Sequence, residues 1–454
     1  MPGPLFQIAR TGAAATRASL EVVAQNIANA SPPDYSRRTL ELREVVGVSP
    51  GQRGVLNGVR IEGIARASTE IVQHQARQSA ADLSRADAEL QGLRDTELAL
   101  ELSRLFEGLV EFEAVLTQLE GNPLEPALRT NALETARQLA GTIQFANTTL
   151  NTAREQVQEA ATVSLDEANL QVAELARINQ NLVNARPGTV GEAALLDARD
   201  AAVRNLSEQI GGSASFDDRG VATVRLADAA GGAAGGAAGG SGALLVDRFS
   251  ANAINAATNA DGTLAFDVGG VTVNPARGAI AGQAAALDAQ ADFQIQLDDI
   301  AAEVIARSNT AQTSGADQDG AAGQPLFSGT GAADIALALT SGRQLATAPA
   351  GSPAGSTNTT NLANFVASIG AQDGPIATTD TLLLSLSSRI AAQDVTRTGL
   401  AAIAQNAVAV LLTETGVDLD TEAANLVRLQ QAFEANSRVL QVAAEIFDTL
   451  LAIR

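Results

Sequence analysis

The sequence has no cysteine, no tryptophan and no lysine, and a single histidine, tyrosine and methionine among 454 residues. The first absence excludes disulfides, thiolate nucleophiles and zinc-thiolate centres together. Aromatic residues make up only 3%. Cores must therefore be built from Ala, Leu, Val and Ile, which suits long helices lying side by side better than a ligand-binding globule. Every one of the 30 basic side chains is an arginine, against 51 acidic ones, for a formal net charge of −21. That balance argues against nucleic-acid phosphates or an anionic membrane surface as partners. No run approaches about 18 consecutive apolar residues, so no bilayer-spanning segment is expected. Arg10 and Arg17 interrupt the first apolar stretch and no basic region precedes it, so a cleaved secretory signal is not expected either.

What the chain does have is helical periodicity, clearest in Gly416 to Arg454. With Leu419 at heptad position a, Leu426, Phe433, Leu440 and Phe447 follow at a, Leu429, Ala443 and Leu450 at d, and Ala432, Val439, Ile446 and Ile453 at g. A helix over 417–454 would run roughly 57 Å with one wide apolar stripe, too long and one-sided for a small core to satisfy. Its candidate partner is at the opposite end of the chain. There Leu5, Ile8, Gly12, Ala15, Ser19 and Val22 keep one 3.5-residue spacing, and Phe6, Ala9, Ala13, Leu20, Val23 and Ile27 keep another. Two seams ask for neighbours on two sides, which fits either a helix buried in a monomer or one shared between subunits. Asn436 falls at a d position, either as a buried register-setting residue or as an outward-turned one.

Between these ends, two to four domains are expected from length. Asn29 to Tyr35 breaks periodicity with two prolines, and Arg37 to Ile64 reads as short strands and turns around glycines. Helix returns from about Ala65 to Glu120, then at Leu124 to Arg186 and Glu192 to Ile210. Residues 211–280 turn rich in Gly, Asp, Val and Thr, with strand-like runs at Val221 to Leu226, Leu264 to Val268 and Val271 to Val273, and contain the low-complexity run GGAAGGAAGG. Helix resumes at Gly282 to Asn309 and at Leu382 to Leu412, with an irregular segment at 310–380. The fold expected is mainly α with an inserted β-rich domain. N- and C-terminal helices pair as a coiled-coil-like terminal domain, with a long helical bundle in the middle. Its parts are 1–64 and 413–454 (terminal domain and connector), 65–210 and 281–412 (helical middle domain) and 211–280 (outer insert).

Catalytic chemistry finds little support. His74 sits in a polar segment with no nucleophile motif to serve. Asp317-Gln318-Asp319-Gly320 hints at a calcium loop, but Ala321 stands where a third ligand belongs, so it reads as a turn. The carboxylates are scattered along helical faces and no acid–base pair stands out. No catalytic, cofactor-binding or metal-binding residue is assigned.

Three stretches carry a resemblance to a known family. Ala24 to Arg38, AQNIANASPPDYSRR, resembles the rod, hook and junction signature of the bacterial flagellar axial proteins, in which an Asn-rich helix end runs into a Thr-Pro-Gly-Tyr turn; Asn26, Asn29, Pro33 and Tyr35 are the matching residues, and Asp34 replaces the Gly. Gly416 to Arg454 is similar to the end of the hook-associated, hook–filament junction branch. Asn309 to Phe327 resembles an internal Asp- and Gly-rich turn of that branch. The resemblance implies a structural subunit that forms a ring between hook and filament through its terminal helices. Leu5, Ile8, Leu20, Val23, Ile27, Leu426, Leu429, Phe433, Leu440, Phe447 and Leu450 are the expected assembly residues. It implies as partners further copies of the chain, the hook protein, the second hook–filament junction protein and an export chaperone near the C-terminus. Type III export to the cell exterior would follow. A hook or rod subunit, or an extracellular helical adhesin using 211–280, are the alternatives.

Overall fold

The computed structural model describes residues 4–32, 34–47, 55–226 and 242–452. The first helix, α1 (Pro4–Ala28), leads through the turn into an antiparallel hairpin of β1 (Arg38–Gly47) and β2 (Val55–Arg66), which lies against α1. Instead of the short strands expected, this is one long ribbon, with Arg38 opposite Arg66 and Gly47 opposite Val55 and register shifts at Glu41/Leu42 and Glu44/Val46. Such irregularities increase the twist of a strand, which lets a ribbon curl over a helix.

The helix expected from about 65 to 120 is in fact two, α2 (Glu70–Ser103) and α3 (Leu105–Gly121). Arg104 between them is left-handed, at φ 54°. A non-glycine residue pays for that conformation, and here the kink re-aims the following stripe, Leu105, Leu109, Phe112, Leu116 and Leu119, into the core. Helix α4 (Pro126–Asn184) is 59 residues long, about 88 Å at 1.5 Å per residue. Proline opens it at a position where the missing N–H costs nothing. Helix α5 (Val190–Ile210) returns antiparallel after the Pro187-Gly188 break, its first turn capped by the Thr189 hydroxyl accepting from the Glu192 N–H at 3.2 Å. At that break the turn backs onto β2: a Cβ on Gly63 would come within 2.8 Å of Gly188 Cα.

Because α4 outruns any single core, it serves two. Its first half, Ala132 to Leu150, packs with α3, α6 (Ala279–Thr313), α7 (Thr360–Ile369) and the start of α8 (Pro375–Thr415). Phe112 makes edge-to-face contacts there with Phe327 and Phe365, with centroids 6.2 and 5.9 Å apart. The irregular segment after α6 is ordered by side chains that imitate a strand partner. Asn309 bonds both the N–H and the C=O of Phe327, and Asn361 Nδ2 donates to the carbonyls of Ala311 and Ala346. Fully buried Arg129 donates to the carbonyls of Pro123, Gly342 and Leu345 and to the Thr347 hydroxyl. A buried guanidinium is tolerable only when its donors are satisfied in this way.

The second half of α4, Leu165 to Leu182, shares its core with α5 and two small antiparallel sheets. One runs β3 (Gly212–Phe216), β4 (Ala222–Leu226), β5 (Leu244–Asp247), β6 (Ser250–Ala251); the other β7 (Ile254–Thr258), β8 (Leu264–Val268), β9 (Val271–Val273). The strand-like runs named from sequence are all strands here, and buried Asn179 ties α4 to β4 by bonding the N–H and C=O of Ala222, both at 2.8 Å. The strands do not bury their apolar faces on one another alone, since Val221, Val224, Leu245 and Phe266 pack with Val172, Leu175 and Leu206 of the helices. The run GGAAGGAAGG lies outside the described residues.

The last helix, α9 (Leu419–Ala452), follows α8 after a break at Gly416 and packs along α1, bringing the two chain ends together. By length and composition, a stretch within Pro375–Ile446 is apolar enough to cross a membrane, and 17% of it is buried. Counting consecutive apolar residues missed this, because isolated polar residues punctuate an otherwise apolar helix.

Candidate functional site

The terminal helix pair meets along the heptad seam, but the seam is half closed. On α1, Ala9, Ala15, Val22 and Val23 are buried, and Leu20 and Ile27 are half-buried. On α9 no apolar side chain among the described residues is fully buried. Leu426, Leu429 and Leu440 are half-buried, Phe433 is 38% exposed, and Val427, Val439, Val442 and Ile446 are 44–54% exposed. Leu5 is 63% exposed and Ile8 38%, with Leu5 at the mouth of an apolar groove lined by Val439, Val442 and Ile446. The side chains of Phe447 and Leu450 lie outside those described. Asn436 faces inward: its Nδ2 lies 3.4 Å from the Thr16 hydroxyl, and a Cβ on Gly12 would come within 2.8 Å of its Oδ1. Gly12 is thus the space into which Asn436 fits, a register key between the two chain ends.

Where this pair meets the rest of the molecule, the turn motif builds a joint. Asn26 is 1% exposed and uses its whole amide. Its Oδ1 accepts from the Arg38 N–H at 3.0 Å and the Tyr35 hydroxyl at 2.8 Å, and its Nδ2 donates to the Arg38 carbonyl at 2.9 Å and Glu422 Oε1 at 3.3 Å. One side chain thereby binds the end of α1, the turn, the start of β1 and the first turn of α9. The Arg37 N–H reaches the Thr415 carbonyl at 2.8 Å, fixing the end of α8 to the same place. Asn29 plays a smaller part, donating to the Gln25 carbonyl as a helix-end bond at 2.8 Å. Pro33 lies outside the described residues. Asp34, standing where the resemblance implies glycine, needs no left-handed backbone, since Arg104 and Arg248 are the non-glycine residues of positive φ among those described. Its carboxylate pairs with Arg204 of α5, a contact glycine could not make.

A charge network continues from there into α5. Arg38 donates to Asp197 at 2.9 Å, Arg66 donates to Asp197 at 2.6 Å and also pairs with Asp200, and Arg199 Nε and Gln73 Nε2 bond Asp200 at 2.9 and 3.0 Å. The two arginines face each other across the β1–β2 register, so the hairpin presents both to the carboxylates one turn apart on α5. Burial alone would push the Asp200 carboxyl up, but Arg66 and Arg199 outweigh it and hold it below the usual carboxylate value. Burial raises the Tyr35 phenol, which Arg38 partly offsets and which Asp197 and Glu422 reinforce. Arg38 also stacks over the Tyr35 ring, 4.8 Å from its centroid.

Of the residues at this joint, the sequence reading named Asn26 and Tyr35 and did not name Glu422, Asp197, Asp200, Arg38 or Arg66. The i,i+3 spacing of Asp197 and Asp200 on one face of α5 was the available signal. Of the other candidates, Asp317 is spent on its own turn, with Oδ1 accepting from the N–H groups of Asp319 and Ala321 at 2.9 and 2.8 Å, while Asp319 pairs with Arg343. His74 is half-buried beside Gln78. Among the described residues no group of three or more potential metal ligands is found.

A profile described as the flagellar hook-associated protein FlgK helical domain matches residues 83–327, more than half of the chain. The chain belongs to the FlgK family. Residues 411–453, which include α9, match a second profile, the C-terminal region of the flagellar basal body rod FlgEFG proteins. Flagellar hook-associated protein 1 of Escherichia coli K12 is 25% identical over 230 residues, covering 49% of this chain and 42% of the relative. The protein of the same name from Salmonella typhimurium is 26% identical over 230 residues, covering 49% and 41%. The matched region thus spans less than half the length of these relatives. The flagellar hook junction protein FlgK of Burkholderia pseudomallei has a solved structure similar over 56% of this chain and 46% of its own, at 20% identity and a TM-score of 0.47. The FlgK family is one of structural flagellar proteins.

Proposed function

We propose that the protein is a structural subunit of the bacterial flagellum, joining hook to filament through side-by-side association of its terminal helices. The observation that carries this is the half-closed seam: a 34-residue helix on which no described apolar side chain is fully buried in the single chain. A stripe of that length left open in a soluble chain marks an interaction surface. Neighbouring copies would cover Val427, Val439, Val442 and Ile446, while α1 covers the a and d edge. The names of the relatives, hook-associated protein 1 and hook junction protein, support a place at the hook; hook protein on one side and the second junction protein on the filament side are the neighbours in this reading. An export chaperone shielding the C-terminal region before assembly, and export to the cell exterior without a cleaved signal, complete the reading. The channel-lining part would be 1–64 with 413–454, and the sheets within 211–280 would lie outermost.

Assembly in this scheme supplies the burial that the free subunit lacks, so order in the terminal helices is coupled to stacking. Hydrogen exchange on the purified full-length monomer tests this. Faster exchange across 4–20 and 427–452 than in α3, α4 and the joint at Asn26 is expected, and protection of those ends equal to that of α3 and α4 would refute the coupling. Deleting 417–454 should abolish stacking into multi-subunit assemblies and leave a soluble folded remainder. An adhesin would lose at most a dimer.

A further inference from the structure

Helix α8 is fastened to the body by buried side chains near its start and again from Ala404 to its end at Thr415. Leu382 and Leu386 are buried in the first core and Ala404 and Ala407 are buried further along, while between Leu386 and Ala404 no residue is fully buried and half-buried Ile390 is the last to pack against the first core. Over that interval α8 is held to α2 by ionic contacts: Arg389 to Glu89 at 3.6 Å, Asp394 to Arg94 at 2.8 Å and Arg397 to Asp87 at 2.6 Å. Gln393 adds a bond to the same Glu89 at 3.2 Å. Arg94, Asp394, Asp87 and Arg397 are each about half exposed, with side chains at 52%, 50%, 45% and 43%. Alongside them an open groove of about 660 Å³ runs past Ser84, Leu90 and Ala279. Over this interval the charges face α2, and along the helix Leu384, Val395 and Ile403 are 65%, 74% and 55% exposed.

We propose that the middle of α8, Gln393 to Arg397, is a releasable ionic clasp on α2. Exposed ion pairs hold weakly, exchange readily with water and are screened by salt, whereas the buried side chains at each end stay put. With the clasp open, α8 bows away from α2 and rotates its apolar face without unpacking the core. With the clasp closed it is a straight strut between the body and the joint at Thr415. This is a property of the single chain and does not depend on the assembly reading above.

The absence of cysteine makes a spin-label test selective. Val395→Cys on α8 and Val163→Cys on α4 report the clasp, and Leu98→Cys on α2 with Val163→Cys reports the body; all three positions are more than half exposed. Distances in the full chain are measured by pulsed dipolar spectroscopy at low salt and at 1 M salt, where the screening length falls to about 3 Å. A narrow 163–395 distribution that shifts and broadens in salt, beside an unchanged 98–163 distribution, is expected. Arg397→Asp should broaden it already at low salt, and combining it with Asp87→Arg should restore the narrow form. A 163–395 distribution indifferent to both salt and Arg397→Asp would overturn the clasp, as would equal broadening of the 98–163 pair.

Discussion

The joint around Asn26 and the seam between α1 and α9 adjoin each other, yet they are built on opposite terms. In the joint, buried polar groups from the turn, the hairpin, α5 and α9 bond one another within a single chain, with the Asn26 amide fully used and Arg37 Nε, Arg38 Nε and Glu422 Oε2 left without a partner. In the seam, apolar groups outnumber the surface available to cover them. A buried hydrogen-bond network holds in proportion to how many of its members find partners in the same chain, whereas an apolar stripe can wait for a neighbour. The difference separates what one subunit finishes alone from what it leaves for assembly.

The sharpest way to break this contrast is at the joint. Asp200→Ala leaves buried Arg199 without its carboxylate and Arg66 with Asp197 alone, and should cost about 3 kcal/mol, read as a fall in denaturant midpoint. Acid should reach the same group. Its folded carboxyl lies below the reference value of 3.8, so its contribution is complete above that value and is lost as pH falls through the lower folded one. A stability profile flat below pH about 4 would remove Asp200 from the joint. Similar in size, Asn26→Ala leaves Tyr35, Glu422 and the Arg38 backbone without partners, for about 3 kcal/mol, and should speed amide exchange at Arg38.

The seam should respond weakly in the monomer and strongly in the assembly. Leu440→Ala is expected to lower monomer stability by about 1 kcal/mol, since the side chain is only half-buried, while markedly raising the concentration needed for stacking. Smallest in the monomer, Val442→Ser should be near neutral, its side chain being 54% exposed. If both substitutions leave stacking untouched, this face of α9 is not the contact between copies.

The seam was legible in the sequence because a heptad pattern is local: spacing alone put Leu426, Leu429, Phe433 and Leu440 on one stripe. The strand runs at 222–226 and 264–268 were legible for the same reason. The joint was not, since Asn26 and Glu422 are 396 positions apart and Arg38 and Asp197 are 159 apart, and no periodicity links them. The break at Arg104 escaped as well, because leucines continue across it and only the packing of Phe112 requires the turn.

Composition and periodicity by themselves determined that this chain is a set of long Ala- and Leu-rich helices with a β-rich insert, and that its two ends carry matching stripes. Those are properties of consecutive residues, and the backbone obeys them locally. Only the tertiary structure decided that Asn436 faces Gly12, that Asp34 is held by Arg204, and that the middle of α8 turns its charges toward α2. Each depends on which surfaces meet, and that is settled by burying the largest apolar area while leaving no buried charge without a partner.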